Sequence, residues 1–192
     1  MADQSITATA TIFASLIAAG ISFLTLTLSK EQKISDFRQA WIDGLREDLA
    51  IWFSSARSMA RATEERQLDE AQAAKAKFLL SEDQIRATRV MSAQAYYKIK
   101  LRLNSGEEQH IQLVTLIDQA INLQNATAKG ESDGSKTIPA IEAAFEFSRS
   151  VLKTEWERVK DGEPRFRFAI TWIPPILILL GLGYALLNHC LT

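Results

Sequence analysis

Long uncharged, mostly apolar stretches lie at both ends of the chain, and charged sequence with periodic apolar positions lies between them. The first stretch has no ionisable side chain from Gln4 to Ser29. About 24 helical residues span roughly 36 Å, more than the ~30 Å hydrocarbon layer of a bilayer. Residues 5–29 are therefore predicted to form a transmembrane helix. A cleaved signal peptide would need a basic region before the apolar run, and none is present there.

The second uncharged stretch follows Arg167 and contains two consecutive prolines, Pro174 and Pro175. Each proline removes a backbone donor and disfavours helix in the residue before it. A helix that began at these prolines would have only about 15 residues, too few to cross a bilayer. We therefore predict a second transmembrane helix over residues 166–188, kinked at the prolines and followed by a short outer tail, 189–192.

Basic residues determine the predicted orientation of the two helices. Lys and Arg cluster at the inner ends of both apolar stretches, whereas the two outer tails contain neither. Because cytoplasmic flanks of transmembrane helices are enriched in Lys and Arg, residues 30–167 are predicted to be cytoplasmic and both termini to lie outside. The predicted anchors at the membrane interfaces are Lys30, Arg165, Arg167, Trp172 and Tyr184.

Small and hydroxyl-bearing side chains share one face of the first predicted span, within about a third of the helix circumference at 100° per residue. Small residues let helix backbones approach closely, and hydroxyl groups bond across helices. We expect this face to pack against another helix, within the chain or between subunits, or to line a pore in an oligomer. Its members are Thr7, Thr11, Ala14, Ser15, Ala18, Ser22 and Thr25.

Apolar residues recur every three or four positions through the middle of the chain, which predicts helices there. The first continues the initial span as a stalk, and others are predicted over 81–103, over 107–126 and from Pro139 to Gly162. The predicted fold is all-α, with two transmembrane helices flanking a cytoplasmic antiparallel bundle of about four helices at 30–165. The predicted stalk core comprises Phe37, Trp41, Leu45, Trp52 and Trp156.

Composition and motifs argue against an enzyme or a nucleic-acid binder. The 192 residues carry 22 basic and 23 acidic side chains, a net charge of -1. The sequence has no Gly-rich phosphate loop, no nucleophile elbow and no spaced Cys or His cluster. Glu107 and His110 fit a helix start better than a catalytic site, and Asp48 is predicted to be solvated. No catalytic residue, metal or cofactor is predicted.

Three charged segments carry a further pattern. They are KEQKISDFRQAWIDGLR at 30–46, KIKLRLN at 98–104 with the following Glu107 and His110, and LKTEWERVK at 152–160 with Gly162 and Glu163. These segments resemble an uncharacterised group of bacterial two-span membrane proteins. Ser105 stands where that group usually has proline. The resemblance implies the same topology and a bacterial inner-membrane location, but no reaction and no ligand.

Three functions are compatible with these patterns. The favoured one is an oligomeric, non-enzymatic membrane protein whose cytoplasmic helical domain senses or docks a partner and couples it to the transmembrane helices. A pore-forming or membrane-permeabilising effector, as in phage defence or stress response, is the alternative that the hydroxyl row supports. A membrane-tethered adaptor for another protein is the third. The expected partners are the lipid bilayer, further copies of the chain and an unidentified cytoplasmic protein, with no nucleic acid.

Overall fold

The computed structural model describes residues 2–66, 80–132, 134–162 and 164–191, and within these ranges it contains helices and no strand. The all-α fold class is therefore confirmed. The helices are α1 (Ala2–Arg66), α2 (Glu82–Arg102), α3 (Glu108–Ala128), a 3-10 turn (Gly134–Lys136), α4 (Thr137–Asp161) and α5 (Pro164–Leu191).

Local signals in the sequence explain where the middle helices begin and end. Ser81 caps α2 through a capping box, in which its hydroxyl accepts the Gln84 N–H and the Gln84 side chain accepts the Ser81 N–H. At the end of α3, Gly130 adopts a positive φ of 75°. Its N–H and that of Glu131 donate to carbonyl oxygens in the last turn of the helix, which is the Schellman arrangement.

The two long terminal helices are uninterrupted. α1 extends over 65 residues without an internal proline, so the predicted continuation of the first span into a stalk is present as one helix. α5 extends over 28 residues and contains both Pro174 and Pro175 inside it. The second apolar helix therefore begins before the prolines and not at them. The kink at the prolines stays a prediction.

The chain divides into two compact units, which we name the central unit and the terminal unit. The central unit is Gln39–Glu157, and the terminal unit combines Met1–Arg38 with Arg158–Thr192. The predicted boundaries of the cytoplasmic bundle, 30–165, stay a prediction.

The central unit is a helical bundle whose four helical segments share one hydrophobic core. Burial of these side chains removes apolar surface from water, which is the main favourable term in folding. The core residues are Leu45, Leu49, Trp52, Phe53, Ala56 and Ala60 from α1, Ala95 and Ile99 from α2, Leu113, Ile117 and Ala120 from α3, and Ile141, Ala144 and Val151 from α4.

The predicted stalk core agrees with this bundle only in part. Leu45 and Trp52 are fully buried, and Trp41 is half-buried against the core. Trp156 is 38% exposed, and Phe37 is 73% exposed. Phe37 follows the helical spacing of the buried stripe but precedes Gln39, where the compact central unit begins. The periodicity therefore continues beyond the part of α1 that the core covers.

In the terminal unit, α1 packs against α5. The rings of Phe13 and Tyr184 lie with their centroids 5.3 Å apart. Gly20 faces Leu177 so closely that a Cβ placed on Gly20 would lie 2.6 Å from a Leu177 methyl carbon. A glycine at this position therefore allows the close approach of the two helices.

Candidate functional site

The small-residue face of α1, defined as Thr7, Thr11, Ala14, Ser15, Ala18, Ser22 and Thr25, is exposed in the single chain. The contact with α5 uses a different side of the helix, marked by Phe13 and Gly20. At 100° per residue, that side lies roughly 155° around α1 from the centre of the small-residue face. The face is thus available to a second helix from outside the chain.

Three of the hydroxyl groups on this face, those of Thr11, Ser15 and Thr25, are bonded within their own helix. The Thr11 hydroxyl donates to the Thr7 carbonyl oxygen at 2.9 Å, and the Ser15 hydroxyl donates to the Thr11 carbonyl oxygen at 2.8 Å. Thr25 donates in the same way to the carbonyl oxygen of Ile21 at 2.9 Å. Such bonds satisfy the hydroxyl protons without water. The face is therefore chemically suited to a dry helix contact.

Both candidate membrane spans expose their apolar surface. They lie within Thr7–Arg66 and Gly134–Leu186, and each is long and apolar enough to cross a membrane. The apolar window of the first is 0% buried, and that of the second is 6% buried. A core helix of a soluble protein would bury such a window, because monomeric soluble proteins rarely expose apolar patches of this extent.

The predicted interface anchors have different surroundings. Trp172 is 55% exposed, with its ring centroid 6.4 Å from that of Phe168. Tyr184 is half-buried against Phe13, so it also contributes to the contact between α1 and α5. Lys30 and Arg167 are exposed. The side chain of Arg165 lies outside the described part of the structure.

A buried ion pair joins α1 to α2 in the central unit, at a position for which the sequence predicted a solvated carboxylate. Asp48 is only 3% exposed. Its Oδ2 accepts a hydrogen bond from Nε of Arg102 at 2.7 Å, and Lys98 Nζ lies 3.7 Å from Oδ1. The prediction is wrong because Asp48 lies beside Leu49 on the buried side of α1.

Two neighbours hold the Arg102 side of this pair. The indole N–H of Trp41 donates to the carbonyl oxygen of Arg102 at 3.2 Å. A Cβ placed on Gly44 would lie 2.5 Å from Nη1 of Arg102, so glycine leaves the space that the guanidinium fills. Gly44 and Asp48 are one helical turn apart on α1, so both lie beside Arg102.

A second polar cluster lies at the start of α3 and is formed by Glu107, His110 and Glu155. One ligand atom from each lies within 4.8 Å of the others. His110 is 3% exposed, and its Nε2 lies 3.6 Å from Oε1 of Glu155. Its Nδ1 accepts the backbone N–H of Asn104 at 3.0 Å. Glu107 occupies the N-cap position of α3, as expected for a helix start, although its side chain makes no cap bond.

The hydrogen bonding of His110 argues for a structural role and against a metal ligand. A neutral histidine that binds a metal through Nε2 carries its proton on Nδ1 and donates it to a second group. Here Nδ1 accepts a hydrogen bond from Asn104, so the proton belongs on Nε2, which faces Glu155. The cluster therefore links the turn before α3 to α4.

A hydrogen-bonded tyrosine lies between α2 and α3. Tyr96 donates its hydroxyl proton to Oδ1 of Asp118 at 2.7 Å and accepts from Lys100 Nζ at 3.1 Å. Burial, followed by the hydrogen bond to Asp118, raises the pKa of Tyr96 above its ordinary value of 10.0. The hydroxyl is thus held protonated as a donor.

No protein-family model matches the chain, and no curated protein and no solved structure matches it either. The resemblance of the charged segments to bacterial two-span membrane proteins stays an expectation from the sequence.

Proposed function

We propose that the chain is an integral membrane protein that self-associates through the small-residue face of α1. In this proposal the central unit lies in the cytoplasm, senses or docks a partner, and couples that event to the transmembrane helices. The observation that carries it is the exposure of the small-residue face on a helix whose other side already packs against α5. A face of small side chains suits close helix contact, so its exposure on α1 suits contact with a second copy.

Membrane insertion is supported by the exposure of the apolar windows and by the charges that flank them. Lys30, Lys33 and Arg38 follow the first apolar stretch, and Arg165 and Arg167 precede the second. This bias favours a cytoplasmic central unit with both termini outside. The bacterial inner membrane is part of the proposal because of the resemblance of the charged segments.

Helices that follow one another along the chain are proposed to run in opposite directions in the central bundle. Trp41, near the start of the bundle part of α1, bonds to the last residue of α2, and Arg66 at the end of α1 pairs with Glu82 at the start of α2. These two contacts support opposite directions for α1 and α2. Such up-and-down packing is common in four-helix bundles with short connections.

The continuity of α1 supports coupling. α1 supplies core residues to the central unit and the small-residue face to the terminal unit without a break in the helix. A change in packing inside the bundle therefore acts on the same helix that forms the proposed contact between copies. No comparable link would exist if the two units were joined by loops alone.

A pore is the second candidate, supported by the exposed row of threonine and serine hydroxyls. The bonds from these hydroxyls to carbonyl oxygens one turn earlier favour the packed interface, because the hydroxyl protons then need no water. Conductance across planar bilayers tests the pore. If the chain conducts a current and Thr11→Leu reduces that current, the pore is supported and the packed interface is contradicted.

Cysteine cross-linking in native membranes tests self-association. Cys190 is first replaced by serine, and a single cysteine is then introduced at Ser15 on the small-residue face or at the neighbouring Leu16. We expect oxidation to give a dimer for Ser15→Cys and little for Leu16→Cys, since both positions are exposed but point in different directions. Equal cross-linking at the two positions, or none at either, would contradict the proposed interface.

A further inference from the structure

One exposed side of α2 carries a regular line of side chains, which we name the α2 seam. Its positions are separated alternately by four and three residues, which is the spacing of the contact line in a coiled coil. The seam follows about 27 Å of the helix. All of its members are exposed. They are Asp83, Ala87, Val90, Gln94, Tyr97 and Leu101.

The α2 seam lies on the side of the helix opposite the bundle core. The buried residues of α2 are Ile85, Ala95 and Ile99. At 100° per residue, their centre lies roughly 160° around the helix from the centre of the seam. On the seam itself, Tyr97 is 65% exposed and Leu101 is 87% exposed. A surface helix usually presents polar residues away from its core, so this second apolar side indicates an interaction surface.

The charged residues that border the seam all have the same sign. In a coiled coil, the residues directly beside the contact positions determine which helix pairs with the seam. Here the charged ones are Arg86 and Lys100 on one side and Lys98 on the other, and all three are exposed. Contacts within the bundle hold both lysines in place, Lys98 beside Asp48 and Lys100 on the hydroxyl of Tyr96. The borders of the seam are therefore positively charged.

These charges favour one kind of partner over two others. A second copy in the same membrane would present the same bases, so parallel α2 helices would bring like charges together. A lipid surface would have to take up Asp83 and Gln94, which lie on the seam itself and are costly in hydrocarbon. A helix with an apolar seam and acidic borders, by contrast, complements both the seam and its bases.

We propose that the α2 seam docks an acidic amphipathic helix of another protein. The apolar seam residues pack against the apolar side of that helix, and its carboxylates face the bordering bases. Gln94, a polar residue at a contact position, selects the register of the pair. The proposal names the class of partner for the docking role described above, and in that respect it rests on the proposed function.

A pair of synthetic heptad-repeat peptides tests the proposal by fluorescence anisotropy, with the full chain in zwitterionic lipid nanodiscs. Both peptides carry leucine at the contact positions, and they differ in carrying glutamate or lysine at the bordering positions. Empty nanodiscs give the background. We expect the glutamate peptide to bind roughly tenfold more tightly than the lysine peptide, because like charges across an interface are disfavoured. Equal binding of the two peptides, or binding of neither, would overturn the proposal.

Matched variants locate the binding. Leu101→Gln on the seam is expected to weaken binding of the glutamate peptide roughly tenfold, whereas Ile111→Gln, at an exposed apolar residue of α3, is expected to leave it unchanged. Arg86→Glu should lower the preference for the glutamate peptide, and Arg149→Glu, the same charge change on α4, should keep it. Binding that responds equally to both members of either pair would overturn the assignment.

Two further measurements show whether something else covers the seam. In a Cys190→Ser background without peptide, oxidative cross-linking of Val90→Cys would show that a second copy does. A blue shift of a polarity-sensitive dye at Leu101→Cys, on changing to anionic nanodiscs, would place the seam on lipid. Either result would overturn the proposal. Cross-linking through Ser15→Cys is measured in parallel, since its loss contradicts self-association through α1 and leaves peptide binding at the seam intact.

Discussion

At the scale of single residues, the ion pair between Asp48 and Arg102 shows how a buried charge is made tolerable. Removing a carboxylate from water is costly unless a countercharge and hydrogen bonds replace the lost hydration. Arg102 supplies both, Lys98 adds a second positive charge, and Gly44 leaves room for the guanidinium. The pair thereby fixes the end of α2 against α1.

Gly44→Ala is expected to destabilise the chain, although alanine is the better helix former. The new Cβ would lie 2.5 Å from Nη1 of Arg102 and would displace the guanidinium from Asp48. Loss of a hydrogen bond to a buried charge costs about 1–3 kcal/mol, against about 1 kcal/mol gained from helix propensity. Thermal unfolding followed by circular dichroism measures the net effect.

The control repeats Gly44→Ala in a second background, where the substitution is expected to stabilise the chain. In an Arg102→Ala background there is no guanidinium to displace, so Gly44→Ala should raise the unfolding temperature there by its helix propensity alone. A destabilisation of the same size in both backgrounds would show that the glycine serves some purpose other than making room for Arg102.

Tyr96 gives a pH dependence to the stability of the chain. Its pKa in the folded state is raised above 10.0 by burial and by the hydrogen bond to Asp118. As the pH rises beyond 10.0, the unfolded chain releases this proton while the folded chain retains it, so stability is lost until the folded pKa is reached. Above pH 10.0, the unfolding temperature of Tyr96→Phe should therefore fall less steeply with pH than that of the parent chain.

Spectrophotometric titration of tyrosinate gives an independent measurement of the same group. Asp118→Asn removes the charge that disfavours ionisation of Tyr96, so the pKa of Tyr96 should move back toward its ordinary value. A titration curve that is identical in the parent chain and in Asp118→Asn would contradict the assigned role of the hydrogen bond.

At the scale of elements, the end of α3 depends on one glycine. Gly130 has a φ of 75°, and the Schellman bonds formed there satisfy carbonyl groups in the last turn. Gly130→Ala is expected to cost about 1–2 kcal/mol, because a Cβ disfavours this left-handed conformation. A Cβ at this position meets nothing within 4 Å, so the cost is conformational and not steric.

Asparagine provides the matched comparison at this position. It tolerates the left-handed conformation better than alanine, so Gly130→Asn should lose less stability than Gly130→Ala. Denaturant unfolding of the full chain in detergent gives both differences. If the two variants were equally stable, the conformation of Gly130 would not be what limits the end of α3.

The helices were largely predictable from local sequence because their boundaries depend on neighbouring residues. The capping box at Ser81 and the glycine after α3 are such signals, and both act within one helical turn. The buried position of Asp48 was not predictable in this way, because it depends on Arg102, 54 residues away. The exposure of Phe37 was not predictable for a related reason, since apolar spacing does not reveal where the packing partners of a helix end.

The same distinction between local and long-range information applies to the candidate sites. The small-residue face could be read from the sequence, because helical periodicity alone places Thr11 and Ser15 on one side of α1. The α2 seam could not, since apolar residues lie on both sides of this helix and only the fold decides which side is buried.

At the scale of the whole molecule, the proposed topology makes a prediction that concerns both ends of the chain together. Basic residues flank only the inner ends of the two apolar stretches, so the two termini should lie on the same, outer side of the membrane. Epitope tags before Met1 and after Thr192 should be accessible to antibody on intact spheroplasts. A tag inserted after Gly130, at the end of α3 in the central unit, should become accessible only after permeabilisation.

The charges that underlie this orientation can be moved. Replacing Lys30, Lys33 and Arg38 by glutamine while adding three lysines before Ala2 reverses the bias at the first helix, and the accessibility of the first tag should fall accordingly. Termini that are accessible only after permeabilisation in the parent chain would place the central unit outside. A chain that remains in solution without detergent would remove the need for a membrane altogether, because its exposed apolar windows would then be covered by protein.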